Sequence, residues 1–279
     1  MEKKEYIISA DSACDLPEGY AKAHGIEIVT LATILDGVEY ETLDNHKVLQ
    51  YVKDTGEIPK TAAPSIELLE EFFAKLSKQA EHVIHFSMSS GISSTYNNAV
   101  KAAEKFENVT VIDSQSLSSG IALQVMNAEK LINEGNTFEQ VIEGVRQAVG
   151  KTRASFVIDS LKLLYKGGRC SKLALFGANL MKIKPSIVVK NGTMCVGKKY
   201  RKNIKLVAQN YVADQLNNGE EKDMTNCFIT YTTFDQPTVD ILVQMAKDAG
   251  FKNVYTSIAS ATITCHCGAN TIGILYIAK

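Results

Sequence analysis

His82-Val83-Ile84-His85-Phe86-Ser87 runs straight into Met88-Ser89-Ser90-Gly91-Ile92-Ser93-Ser94-Thr95, and then into Tyr96–Phe106, whose spacing reads as a helix. An apolar strand that ends in a hydroxyl-rich turn and opens a helix is a common way to hold an anionic head group. The helix start offers unpaired N–H groups and the positive end of the dipole. Serine and threonine hydroxyls add donors that rotate to suit a ligand. No lysine or arginine lies in the loop, which favours a singly charged ligand over a triphosphate.

Outward from this unit, residues up to about 150 alternate strand and helix. Tyr6–Ala10, Ile26–Ile34, His82–Ser87 and Val109–Ile112 read as strands. Lys47–Thr55, Ile66–Gln79, Tyr96–Phe106, Leu117–Glu134 and Phe138–Val149 carry helical periodicity. That rhythm predicts a largely parallel sheet covered by helices, with sites at the carboxyl ends of the strands. Asp11-Ser12, the Ser87–Thr95 loop and Asp113-Ser114 follow three such ends, and they are expected to converge on one crevice.

From about residue 153 the pattern changes. Ala154–Ile158, Ile183–Lys190, Thr193–Lys199, Asn226–Tyr231, Val254–Ala259 and Thr271–Ile277 read as strands, with helices near Lys202–Asn217 and Gln236–Ala249. Asn191-Gly192 between two strands is a tight hairpin signal. The expected fold is therefore two α/β domains. Residues 1–152 form the first, with a largely parallel sheet covered by helices. Residues 153–279 form the second, with a mixed or antiparallel sheet and helices. A cleft between them is a favoured ligand site.

Composition narrows the function. Of 279 residues, 45% are hydrophobic and 22% charged, and the net charge of −1 gives no strong pull toward nucleic acid or an anionic membrane. No apolar run reaches the ~18 residues of a membrane span, and the start has no signal-peptide core. The six scattered cysteines read as reduced thiols of a cytoplasmic protein. Cys265-His266-Cys267 is a poor chelating set with no second cluster, so no metal is expected, and the triplet reads as two small apolar side chains flanking a histidine in a loop.

Familiar catalytic motifs fail. Neither a phosphate-binding Gly-x-x-x-x-Gly-Lys-Ser/Thr nor a dinucleotide Gly-x-Gly-x-x-Gly after the first strand is present. Gly91-Ile92-Ser93-Ser94 lacks the closing glycine of a nucleophile elbow. A serine hydrolase using Ser93 and His266 would also need an acidic partner for the histidine, and nothing marks one. Ser65 before Ile66 reads as a helix cap, which leaves Thr61 free. Leu164-Tyr165-Lys166-Gly167-Gly168-Arg169 reads as a helix end with a glycine stop.

In order along the chain stand Asp11-Ser12-Ala13-Cys14-Asp15-Leu16, Thr61-x-x-Pro64-Ser65 and Ser89-Ser90-x-x-Ser93-x-Thr95-Tyr96. After them come Asp113-Ser114, Leu164–Arg169, Lys182-Ile183-Lys184-Pro185, Arg201 and His266-x-Gly268. This ordered set resembles the DegV family, and within it the fatty-acid-binding subunit of bacterial fatty acid kinase. The resemblance implies two α/β domains with one long-chain fatty acid bound between and within them. By resemblance, Thr61, Ser93 and His266 hold the carboxylate, Ser94 is a further candidate, and the tail is buried largely in the second domain. Arg169 and Arg201 match arginines associated with the kinase step and docking. A separate ATP-binding kinase subunit would phosphorylate the bound acid to an acyl phosphate, so this chain would present substrate, bind no ATP and need no cofactor. A carrier with no kinase partner is the first alternative, and a serine hydrolase using Ser93 and His266 the second.

The physics of a fatty acid fits that implication. A tail of ~16 carbons at ~0.8 kcal/mol per methylene contributes on the order of 10 kcal/mol at most. The head group therefore needs orientation more than grip, and a lysine salt bridge would only quiet the carboxylate as a nucleophile. Ala62-Ala63, Ser94, Cys170 and Ala269-Asn270 depart from the usual pattern, and the last pair is expected to reposition the loop carrying His266. Lipid must enter and leave, with Ile66–Gln79 and Leu173–Met181 as candidate moving walls and at most transient membrane contact.

Overall fold

The computed structural model describes residues 3–170 and 183–279. The first half runs β1 (Lys4–Asp11), α1 (Tyr20–Ala23), β2 (Glu27–Val29), β3 (Ala32–Leu35), β4 (Val38–Tyr40), α2 (Asn45–Thr55) and β5 (Lys60–Ala62). It continues with α3 (Ile66–Ser77), β6 (Ala80–Ser87), α4 (Thr95–Ala103), β7 (Val109–Asp113), α5 (Ser119–Asn133) and α6 (Phe138–Lys151). The second half runs β8 (Thr152–Val157), α7 (Lys162–Lys166), β9 (Lys184–Lys190), β10 (Thr193–Tyr200) and α8 (Ile204–Leu216). It ends with β11 (Lys222–Tyr231), α9 (Gln236–Asp248), β12 (Asn253–Ile258), α10 (Ala261–Cys267) and β13 (Ile272–Ala278).

Strands β2-β1-β6-β7 form a wholly parallel sheet. β1 and β6 are buried along most of their length because α3 and α4 cover one face and α5 the other. This is why both read as continuous apolar runs rather than alternating ones. The expected single strand Ile26–Ile34 is instead two. Thr30-Leu31 interrupts it, the Leu31 N–H is taken by Ser12 Oγ at 2.9 Å, and the chain leaves the parallel sheet. It then starts a small antiparallel sheet, β4-β3-β5, whose last strand carries Thr61.

The second half builds a mixed sheet, β10-β9-β8-β13-β11-β12, in which only β11 and β12 run parallel. Asn191 and Gly192, at φ +51° and +72°, make the two-residue turn between β9 and β10. Both need positive φ, which asparagine and glycine tolerate best. Helices α8 and α9 cover the outer face, and α5 the inner one.

α5 is the shared layer. It touches β1 and β6 on one side and β8, β11 and β13 on the other, and residues 119–126 are buried without a break. A helix buried on every side over its first two turns belongs between two packed surfaces. One core accordingly runs from Ile8 and Phe86 through Leu123 to Phe156 and Leu275.

Two readings need correction or limit. Cys265-His266-Cys267 lies on helix α10, not in a loop, with Cys265 and Cys267 buried. The seven-residue helix is held by packing against α2 and α7 rather than by a side-chain cap. The candidate wall Leu173–Met181 lies outside the described residues. No helix among the described residues is long and apolar enough to cross a membrane.

Candidate functional site

The loop after β6 is shaped by the two acids that end its neighbours. Asp11 accepts from Met88 N–H at 2.6 Å and Ala13 N–H at 3.1 Å. Asp113 accepts from Ser90 N–H at 3.2 Å and Ser90 Oγ at 2.5 Å. The three strand ends thus converge, with the acids binding the loop rather than a ligand. Burial pushes the Asp11 carboxyl up to about 7, against the backbone donors that favour its charge. Ser89 Oγ donates to Gly192 O at 2.7 Å, so the hairpin turn of the mixed sheet rests on this loop. Gly91 permits that approach, since a Cβ there would lie 2.6 Å from Gly192 O.

Beyond the contact, Ser93 Oγ accepts from Thr95 N–H at 3.2 Å and shares a hydrogen with Thr95 Oγ1 at 2.7 Å. Ser94 holds the N-cap position of α4 and makes no side-chain capping bond. Ser94 lines the space described next.

Thr61 on β5 and His266 on α10 meet across 205 residues, Oγ1 to Nε2, at 3.1 Å. Burial, and then the Arg169 cation, lower the imidazole to about 4, so it is neutral near pH 7. Its Nδ1 is buried with no hydrogen-bond partner among the described residues. It lies against Gly167, where a Cβ would come within 2.6 Å. Gly167 ends α7 as anticipated, and its carbonyl accepts from Arg169 Nη1 at 2.6 Å.

Thr61, Ser93, Ser94, Arg169 and His266 all line one cavity of about 120 Å³, which Ala62 and Ala63 also border. The loop itself lacks a cation, but Arg169 brings one from the other half of the chain. Arg201 is exposed just after β10 and lines neither this cavity nor its mouth. Outward, Ser93, Ser94, Arg169 and Met194 are shared with an open vestibule of about 620 Å³ that reaches Asn97 and Thr193. Inward, Leu117, Ile263 and Cys267 are shared with a narrow space of about 30 Å³ between α5 and the mixed sheet.

That inner channel is lined by Ala154, Phe156 and Leu275 together with several hydroxyl residues, yet its surface is almost all carbon. The hydroxyls face away, toward protein. Ser118 donates to Asp15, Ser155 pairs with Tyr211 at 2.7 Å and Thr230 pairs with Ser119 at 2.6 Å. Thr271 Oγ1 donates to Cys267 O at 3.0 Å, and Thr232 Oγ1 accepts from Thr271 N–H at 3.1 Å. Satisfied polar atoms present no demand to an apolar guest.

Sequence reasoning missed Leu117, Ile263 and Cys267 at the throat, and the part Gly167 plays behind the imidazole. Cys267 carried a signal only as a rejected metal ligand. Asn270, at φ +55°, donates from Nδ2 to Asp159 at 3.2 Å and from its N–H to Thr233 Oγ1 at 3.1 Å. Hydrolase geometry is not assembled, because the Ser93 hydroxyl bonds to Thr95, His266 bonds to Thr61, and no described carboxylate reaches Nδ1.

Comparison with known proteins follows the same lines. A DegV domain-containing protein of Clostridium acetobutylicum is 31% identical over 286 residues, covering 100% of both chains. The crystal structure of DegV, a fatty acid binding protein from Bacillus subtilis, superposes with a TM-score of 0.84 at 25% identity, over 99% of this chain and 100% of that one. A DegV family protein from Thermus thermophilus, described by its fatty acid binding, gives a TM-score of 0.88 at 24% identity over 99% and 100%. The family model described as "Uncharacterised protein, DegV family" matches residues 6–279, and the chain belongs to the DegV family.

Proposed function

We propose that this protein binds one long-chain fatty acid, with its carboxylate among Thr61, Ser93, Ser94 and His266 and its tail in the channel between α5 and the mixed sheet. The observation that carries the reading is the continuity of three spaces. A cavity with hydroxyls, an imidazole and a guanidinium on its wall shares lining residues outward with a vestibule and inward with a carbon-lined channel. A ligand with an anionic head and a long apolar tail matches that sequence of surfaces. The Bacillus subtilis relative and a stearic-acid-binding protein of Eubacterium ventriosum, each 25% identical, are described as binding fatty acids.

The channel is narrow, with space for about two or three waters. Accepting a full tail requires α5, α10 and the mixed sheet to part. A neutral imidazole and hydroxyls orient the head group, while the Arg169 cation on the wall of the same cavity serves the phosphoryl group in this reading rather than pairing the carboxylate. In this reading a separate ATP-dependent kinase subunit docks over the vestibule and phosphorylates the carboxylate to an acyl phosphate. Arg169 steadies the transferring phosphoryl oxygens and Arg201 contributes to docking.

Organic extraction of the purified protein with mass spectrometry tests the binding step; one long-chain acid per chain is expected. An empty protein that takes up no added fatty acid would overturn the head-group assignment. Reconstitution with a fatty acid kinase subunit and ATP tests the second step, with acyl phosphate as the expected product. Lipid binding without any product would leave the protein a carrier.

A further inference from the structure

Asp15 belongs to the first motif of the chain, and the head-group site makes no use of it. It is buried, sits at φ +45°, and lines neither the head-group cavity nor the channel. Every acceptor it has is engaged. One carboxylate oxygen accepts from the Ser118 hydroxyl and the other from the Ser260 N–H at 2.9 Å. Its backbone carbonyl accepts from Ser257 Oγ at 2.6 Å and Ser119 Oγ at 3.2 Å.

These partners are not scattered. Ser118 and Ser260 are the N-cap positions of α5 and α10, so one carboxylate closes the starts of both helices. Ser257 anchors the end of β12, just before α10. Ser118 is itself held at φ +55° and ψ −144°, a conformation a non-glycine residue keeps only when its surroundings impose it. The throat where the cavity and the channel meet is flanked by Leu117, just ahead of the α5 cap, on one side and by Ile263 and Cys267 of α10 on the other. His266 rides on the second of them.

We propose that Asp15 is a latch that ties α10 to α5 and so sets how fast a fatty acid leaves the channel. The inference rests on the fatty-acid reading and assigns Asp15 a positioning role, since it touches no part of the ligand. A tail wider than the channel must separate these helices, and the four bonds to Asp15 add to the packing that opposes that separation at their starts. Hydrogen bonds to a buried charged group are among the stronger ones, and a partner left unpaired costs more than the bond itself.

Asp15→Asn is the direct test. Asparagine accepts the positive φ but removes the charge from both bonds, and its NH2 must either oppose the Ser260 N–H or turn the Ser118 hydroxyl from donor to acceptor. The protein is loaded with a fluorescent polyene fatty acid and chased with excess oleic acid, and release is followed by stopped flow. Hydrogen exchange over residues 257–268 is recorded on the same samples. The expected result is about tenfold faster release with loss of amide protection in α10. Ser257→Ala, which removes one of the four bonds, should give a smaller change in the same direction and carries the test if the first variant does not fold. Release at the wild-type rate in both variants overturns the proposal, and so does faster release with α10 protection unchanged. If the wild-type protein takes up no polyene acid, the fatty-acid reading itself fails and the release claim falls with it. The exchange data then report only whether Asp15 holds α10.

Discussion

Replacing Gly167 with alanine adds one methyl group behind the imidazole of His266. Gly167 has φ −69°, so alanine fits its backbone and the effect is purely steric. The new Cβ would stand 2.6 Å from His266 Nδ1 and 3.0 Å from Leu163 O, where ordinary contact begins near 3.4 Å. The ring would have to retreat by about 0.8 Å, the shortfall from that distance. It is also tied through Nε2 to Thr61 at 3.1 Å, so it cannot slide clear without giving up that bond. Loss of a hydrogen bond to a charged ligand group costs about 1.5–3 kcal/mol, roughly a 10- to 100-fold weaker Kd. Titration with a fluorescent fatty acid measures it directly, and a thermal melt reports the overpacking cost of about 1–3 kcal/mol. Gly168→Ala is the matched control, because its φ is +72° and nothing lies within 4 Å of its Cβ position. It should lower stability by about 1–2 kcal/mol and leave affinity alone. A folded Gly167→Ala protein that binds with wild-type affinity would remove His266 from the head-group site.

Stability should vary little between about pH 4 and 6.5, because two opposed linkages overlap there. Burial raises Asp11 to about 7 and Asp15 to about 6 from 3.8, so their contribution is full below 3.8 and lost as pH rises through the folded values. Burial lowers His85 to about 3 and His266 to about 4 from 6.5, so theirs is full above 6.5 and lost as pH falls. Asp11→Asn should unmask the histidines and give urea midpoints that rise with pH across that window; an unaltered profile would contradict the assignment. Arg169→Ala and Arg201→Ala should each retain bound fatty acid on extraction and lose acyl phosphate formation with the kinase subunit, and an emptied pocket in either would refute that division of roles. Gly91→Ala, whose methyl would meet Gly192 O at 2.6 Å, should cost about 1–3 kcal/mol in chemical denaturation by lifting the hairpin off the head-group loop.

Much of the scaffold was legible because its elements are long or strongly punctuated. β6 and its loop, the Ser65 cap on α3 and the Asn191-Gly192 turn each carry their cause within a few residues. The small sheet was not legible, since strands of three and four residues are too short to show a period, and Ile26–Ile34 hides a change of sheet inside one apolar run. α10 was read as a loop because seven residues rich in threonine and cysteine are weak helix formers, and packing decides their state. The site was less legible still. Thr61 and His266 are 205 residues apart, and the Ser260–Asp15 bond spans 245. No local pattern announces such pairs, and the proposed head-group residues were picked out only through the order of the family's motifs.

The position of β13 bears on how the molecule is made. It follows every other strand in the sequence, yet it lies between β8 and β11 at the centre of the mixed sheet. A chain emerging from the ribosome can form its parallel sheet early, while the β8-β9-β10 and β11-β12 groups wait for a strand not yet synthesised. Through that interval the apolar outer flank of α5 has no sheet to lie on, and a nascent chain with such a surface is open to aggregation and to capture by chaperones.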